Sequence, residues 1–598
     1  MLSHRTVVSV CCQWLHPVLV VAMAAAPIAA ADRPVVESVD PVDWIKEYNA
    51  DLNSLRSFYS LTTSPARFDR LERFQRAWLA RFETLIFARL PVEQQVDALL
   101  LRQEIEASLR SLRRERERQS ELTELLPFAA LINELEARRW SGLRPDPEAT
   151  ATLLAAADES LRTLRGRLES ARDVASQDEP AKLRVTPTRA ARAARLTRDL
   201  RQSLATWYDD QSVYVPEFLW WMQKPYASLA KTLQDYAEFL QKQIAQGGKD
   251  EAMIGDPIGR AALLEELERE WISYTPEELL AIAEVELAWC TARQIECSQA
   301  LGFGTDWQAA LRHVKEQHVE PGEQMELVFQ QARDAIEFLD QRQLVTIPEL
   351  CRETWRGDML TADGQRTLPY AAYGGQTMLV AYPTVDMAHD SKLMSMRGNN
   401  IHFSRIVTPH ELIPGHHLQG FIAQRSNTHR RLFSTPFLVE GWALYWEMLL
   451  WDLGYARGPA DQMGMLFWRK HRCARIIVSL EFHLEIRTPA EMIDYLVTRV
   501  GHERDGATSE VRRYIGDAYG PLYQCAYLIG GLELMALRRE LVDTGRMTNR
   551  EFHDAVLAEN SIPIELIRAR LTRQELTSGT RSAWRFYGDP PLPRSERF

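Results

Sequence analysis

Residues 408–420 read TPHELIPGHHLQG. His410, His416 and His417 fall within eight residues of a chain that has 14 histidines, and Glu411 stands beside the first of them. Two imidazoles four residues apart on one helix face can bind one zinc ion, and a glutamate next to the first can take a proton from water. The spacing here is stretched. On a regular helix His416 lies six residues beyond His410, about 240° round the axis, and His417 lies seven beyond, on nearly the same face but about 10.5 Å along it. Neither chelates together with His410 from an unbroken helix. Pro414 lacks the backbone donor that a helix would aim at His410, and Gly415 tolerates unusual backbone angles. An outward bulge at Pro414-Gly415 moves His416 into the place of the second histidine. His410 and His416 are the expected ligands, with His417 as the alternative ligand or as a donor behind them.

A catalytic zinc ion takes three protein ligands and keeps one position open. Residues 437–447 read FLVEGWALYWE, directly after Pro436. Proline suits the first turn of a helix, and Glu440 sits in that turn, 24 residues after His416, which leaves room for one helix, a turn and a return. Gly441 lets another backbone come close. A carboxylate among Phe437, Leu438, Val439 and Trp442 is poorly placed for water, and burial demands a partner. Glu440 is the expected third ligand. Glu447 lies two turns further on the same face, where it could orient a ligand or form a surface ion pair.

The sequence HELIPGHHLQ followed by EGWALYWE resembles the bacterial proteins grouped as domain of unknown function family 885, helical proteins related to the gluzincin metallopeptidases. Their pattern is HExxPGHxxQ, then EGWAxYxE. The resemblance implies that His410, His416 and Glu440 hold zinc, that Glu411 is the general base, and that Gln419 is the closing glutamine of the first motif. Position 417 varies more in the family, which favours His416. The stretches Arg472 to His483 and Glu510 to Gly530 resemble later family blocks, with Ser479 standing where an aspartate is common.

The chemistry implied is hydrolysis by a zinc-activated water, with Glu411 accepting its proton and passing it to the leaving amine. Tyr523, Tyr527, His502 and Arg513 in the late blocks are candidate donors to the oxyanion. The expected function is an exported zinc metallopeptidase acting on short peptides, with one zinc ion per chain. A zinc hydrolase of another amide or an ester, or a noncatalytic exported metal-binding protein, are the alternatives; a purely structural site needs no base and is closed by four protein ligands.

The elements that must position these residues are mostly helical. Trp44, Tyr48, Leu52, Leu55 and Phe58 recur at three and four, and similar patterning continues to about Val345. Thr275-Pro276-Glu277-Glu278 reads as a helix start, and Arg113 to Arg118 as a solvated helix face. Two strand candidates precede the site, MLVAYPTV from Met378 and IHFSRIV over Ile401 to Val407. Either could offer an edge to an extended peptide. The expected fold is mostly α, with two helical lobes around a deep cleft and a small β-sheet in a gluzincin-like catalytic lobe. The expected divisions are a signal peptide at 1–31, an N-terminal helical lobe at 32–360, a catalytic lobe at 361–578 and a surface-bound tail at 579–598.

Residues 1–31 have one early arginine, an apolar stretch and Ala29-Ala30-Ala31 before Asp32, the features of a cleaved export signal. This predicts a periplasmic protein with no stable membrane insertion after cleavage, an uncleaved anchor being the alternative. The net charge of −11 argues against nucleic acid as the main partner. Five cysteines remain beyond the leader, without a CxxC pair, so neither a disulfide framework nor a thiolate zinc ribbon is expected. The sequence leaves the oligomeric state open.

Overall fold

The computed structural model describes residues 40–173, 185–248, 253–366, 368–516 and 519–591. The leader expected at 1–31 lies outside them. The described chain is mostly helical with one small sheet. Prolines open helix after helix, at Pro41, Pro65, Pro147, Pro187, Pro276, Pro436, Pro459 and Pro489, because the first turn does not need the backbone donor that proline lacks. Thr275 starts the helix Pro276–Ala300 with a reciprocal cap: its hydroxyl accepts from the Glu278 N–H while the Glu278 carboxylate accepts from the Thr275 N–H. No described helix is long and apolar enough to cross a membrane.

One continuous core runs from Trp44, Tyr48 and Trp78 through Leu287 and Trp442 to Phe586. A second core lies inside the expected N-terminal lobe, where Phe128, Leu154, Trp207, Phe218 and Tyr236 hold the helices Ala129–Trp140, Pro147–Asp173, Pro187–Tyr214 and Phe218–Glu238 together. The arginines from 113 to 118 form a partly solvated face that is tied down by ion pairs. Arg113 and Arg114 pair with Glu265, Arg116 with Asp69 and Arg118 with Asp256. The tail is also tied down: Phe586 is buried, Arg585 bonds Glu278 at 2.6 Å, and the Ser273 hydroxyl donates to the Trp584 carbonyl at 2.7 Å.

The sheet has strands β1 (Arg356–Met359), β2 (Ala371–Tyr373) and β3 (Thr377–Val380), in the order β1-β3-β2, with β1 parallel and β2 antiparallel to β3. Of the first strand candidate only residues 378–380 are strand. The second, IHFSRIV, is helix: it opens Ile401–Glu411, where the Asn400 side chain accepts from the His402 and Phe403 N–H groups. That cap decides for helix, and Phe403 and Ile406, three residues apart, then face the core. Neither segment offers a peptide edge, since one is helical and β3 is the inner strand. The sheet's unpaired edge toward the site is β2.

Candidate metal centre

The helix Ile401–Glu411 stops at Leu412, and a new helix, His416–Ala423, starts four residues later. The stretched motif is thus met by a complete break between two helices, in place of the expected bulge within one. The Ile413–Pro414 peptide is cis. Gly415 folds back under the first helix, and its N–H donates to the Pro409 carbonyl at 2.9 Å. A side chain there would put its Cβ 1.7 Å from the His410 carbonyl oxygen, so position 415 admits only glycine. The Trp442 indole donates to the Pro414 carbonyl at 2.8 Å and fixes the turn from outside. His416 then faces His410, with ring centroids 4.9 Å apart.

Glu440 completes the group from the helix Pro436–Asp452. Its Oε2 lies 3.2 Å from His416 Nε2 and 3.9 Å from His410 Nε2. One ligand atom from each of the three residues lies within 4.8 Å of the others. Ligands at about 2.0–2.2 Å from a tetrahedral zinc ion sit roughly 3.3–3.6 Å apart, so the donor set and its spacing suit that ion. Glu440 Oε2 is buried without a hydrogen-bond partner among the described residues, while Oε1 accepts from the Tyr523 hydroxyl. His410 donates from Nδ1 to Glu447 Oε1 at 2.6 Å, which turns its Nε2 toward Glu440. Burial alone would raise the Glu440 carboxyl, but the His416 and His410 imidazoles and the Tyr523 hydroxyl outweigh it and hold it far below the usual range. Burial pulls His416 down, and Glu440 more than reverses this.

His417 is no ligand here. Its Nδ1 meets the Tyr373 hydroxyl at 3.0 Å and its Nε2 donates to the Cys351 carbonyl at 2.9 Å. Both nitrogens are committed to holding the second helix against β2 and the segment before β1. Gln419 is likewise structural, donating to the Leu438 carbonyl at 3.1 Å.

A cavity of about 440 Å³ opens beside His410, His416 and Glu440, and Glu411 lines it together with Tyr523, Tyr527 and Arg513. Both tyrosines reach the site because the helix Tyr523–Leu541 crosses Pro436–Asp452 at two glycines. A Cβ on Gly530 would lie 1.8 Å from the Phe437 carbonyl oxygen, and one on Gly441 would lie 2.6 Å from Gly530 Cα. Tyr527 accepts from Arg513 at 3.3 Å and keeps its own proton to donate. His502 does not line the cavity. It bonds Tyr370 and His471, each at 2.8 Å, and burial pulls it down to about 3.

The chain matches the family model described as "Bacterial protein of unknown function (DUF885)" over residues 60–571. It belongs to that family. Its fold is shared with a solved "putative lipoprotein of unknown function" from Shewanella oneidensis, at TM-score 0.64 and 17% identity, covering 89% of this chain and 100% of that one. A "putative lipoprotein" from Colwellia psychrerythraea matches at TM-score 0.48 and 17% identity over 71% of this chain and 75% of that one. No curated protein matches.

Among the residues of this DUF885 chain that line the cavity without having been singled out from sequence are Tyr373, Arg472 and Arg475. The arginines had a signal, a pair at i and i+3 on one helix face in a block already noted. Tyr373 had none, since only the folding of β2 beside the second histidine helix brings it there.

Proposed function

We propose that this DUF885 protein is an exported zinc-dependent hydrolase that cleaves short peptides. The observation that carries the reading is the buried convergence of His410, His416 and Glu440 on a point whose remaining side opens into a cavity, with Glu411 on the cavity wall. Three ligands and an open side are the plan of a catalytic zinc site, whereas a structural site is closed by a fourth protein ligand.

A zinc ion held there would supply a Lewis acid and bring the pKa of a bound water toward about 7. Glu411 takes the proton of the attacking water and hands it to the leaving amine. Tyr527, with a free proton and its ring stacked 6.4 Å from that of His410, donates to the oxygen on which charge develops. Tyr523 stays on Glu440 and holds its second oxygen away from the metal position. Residues 368–373, which contain β2, line the cavity; the unpaired β2 edge can align a peptide by backbone hydrogen bonds. The cavity is lined from the helices that carry His410, His416 and Glu440 and from Arg504–Ile515 and Tyr523–Leu541, and its volume suits a short peptide and not a folded chain. The export-signal features of residues 1–31 and the lipoprotein name of the Shewanella oneidensis relative support a place outside the cytoplasm.

The test is to strip the mature chain with a chelator, add back one equivalent of zinc, and digest a diverse peptide pool read by mass spectrometry. Cleavage that disappears with the metal and returns with it supports the reading. A zinc-loaded protein that leaves every peptide intact contradicts it.

A further inference from the structure

We propose that the cavity is built to receive a carboxylate, so that the substrate is a peptide cut within one or two residues of an acidic end group. Three guanidinium groups lie against Tyr527. The Arg472 and Arg475 guanidinium carbons each lie 4.6 Å from the Tyr527 ring centroid, and Arg513 donates to its hydroxyl. Arg472 and Arg475 are only 6% and 2% exposed.

Arg475 is paired, and its partner Glu510 also lines the cavity, but the charges of Arg472 and Arg513 have no carboxylate in hydrogen-bond contact among the described residues. Arg475 bonds Glu510 at 2.7 Å and Tyr514 at 2.9 Å. The carboxylate paired with Arg472, Glu447, stands 3.7 Å away and is already engaged by His410. Arg513 makes no ion pair among the described residues. Buried and without a hydrogen-bond partner are Nε of Arg472, Nη1 of Arg475 and Nε of Arg513. A buried cation left unpaired costs several kcal/mol in order of magnitude, and a native cavity carries that cost where a ligand relieves it. The forked donors of arginine match the two oxygens of a carboxylate.

The cluster is one aromatic ring away from His410, within reach of one or two residues of extended chain at about 3.4 Å each. A carboxylate on Arg513 and Arg475 therefore leaves a nearby peptide carbonyl at the metal position, beside Glu411. The carboxylate could be the C-terminal one or that of an acidic side chain. The inference rests on the zinc-hydrolase reading for the carrier being a peptide; the anion site itself does not need the metal to act.

The test is calorimetric binding of N-acetyl-dialanine as the free acid and as the C-terminal amide, and of N-acetyl-alanyl-glutamate α-amide, to zinc-loaded Glu411→Gln protein. The free acid is expected to bind about 10–100-fold more tightly than the amide, and Arg513→Gln to remove most of that difference while leaving the melting temperature in place. Tight binding of the glutamate amide assigns the site to side-chain carboxylates; weak binding assigns it to the C-terminal one. Equal binding of acid and amide, or no binding of any of the three, overturns the inference. Arg513→Lys restores part of the preference if charge is what counts. Cleavage by wild-type protein is followed separately. Acid and amide cut at equal rates would leave the hydrolase and remove the anion site, whereas selective binding without cleavage would do the reverse.

Discussion

Glu447 accepts the Nδ1 proton of His410 at 2.6 Å, although 37 residues separate the two. The carboxylate fixes which nitrogen of His410 faces Glu440 and raises the basicity of the ring. Glu447→Gln is expected to weaken zinc binding about 10–100-fold with little loss of helix. Chelator competition measures this; unchanged affinity would mean that His410 is oriented by something else.

The two adjacent histidines should behave oppositely. His416→Ala removes a ligand and should abolish stoichiometric zinc binding. His417→Ala should keep the zinc and instead lower the melting temperature, because it leaves Tyr373 and the Cys351 carbonyl without their partner. Loss of zinc in the second variant with retention in the first would reverse the assignment.

The crossing at Gly441 and Gly530 should tolerate no side chain. In Gly530→Ala the new methyl meets the Phe437 carbonyl oxygen, a backbone atom that cannot turn aside. A loss of about 3 kcal/mol or more is expected, together with weaker zinc binding as Glu440 and Tyr523 separate. A thermal melt matching wild type would show that the helices can part freely.

Acid should destabilise the fold. Burial, aided by Arg118, holds His483 down to about 4, and burial holds His502 and His553 down to about 3. Their folded values lie below the ordinary 6.5, so the unfolded chain binds the extra protons. The stability they contribute is complete above about pH 6.5 and is lost as pH falls toward 3, at up to about 1.4 kcal/mol per pH unit for each histidine. Denaturant midpoints measured from pH 7 to 4 should fall, and His553→Gln should flatten the slope. A flat profile in wild type would contradict the burial of these rings as neutral imidazoles.

The convergence of His410, His416 and Glu440 was legible because proline, glycine and a displaced histidine leave few ways to bring a second imidazole beside the first, and because Glu440 stands in an apolar helix start next to a glycine. The helix from Pro41 and the cap at Thr275 followed equally from local spacing. What failed depended on distant partners or on a competing local signal. IHFSRIV alternates like a strand, but Asn400 caps it as helix. His502 looks like a site residue and is instead consumed by Tyr370 and His471.

The central claim is that Glu411 is the base of a metal-dependent hydrolysis at His410, His416 and Glu440. The most direct measurement compares wild type with Glu411→Gln, both shown to carry one zinc per chain, on the same peptide pool. The account predicts cleavage by wild type and a loss of at least about a hundredfold in the variant, with metal content unchanged. Equal cleavage by the two proteins, or loss of zinc from the variant along with its activity, would contradict it.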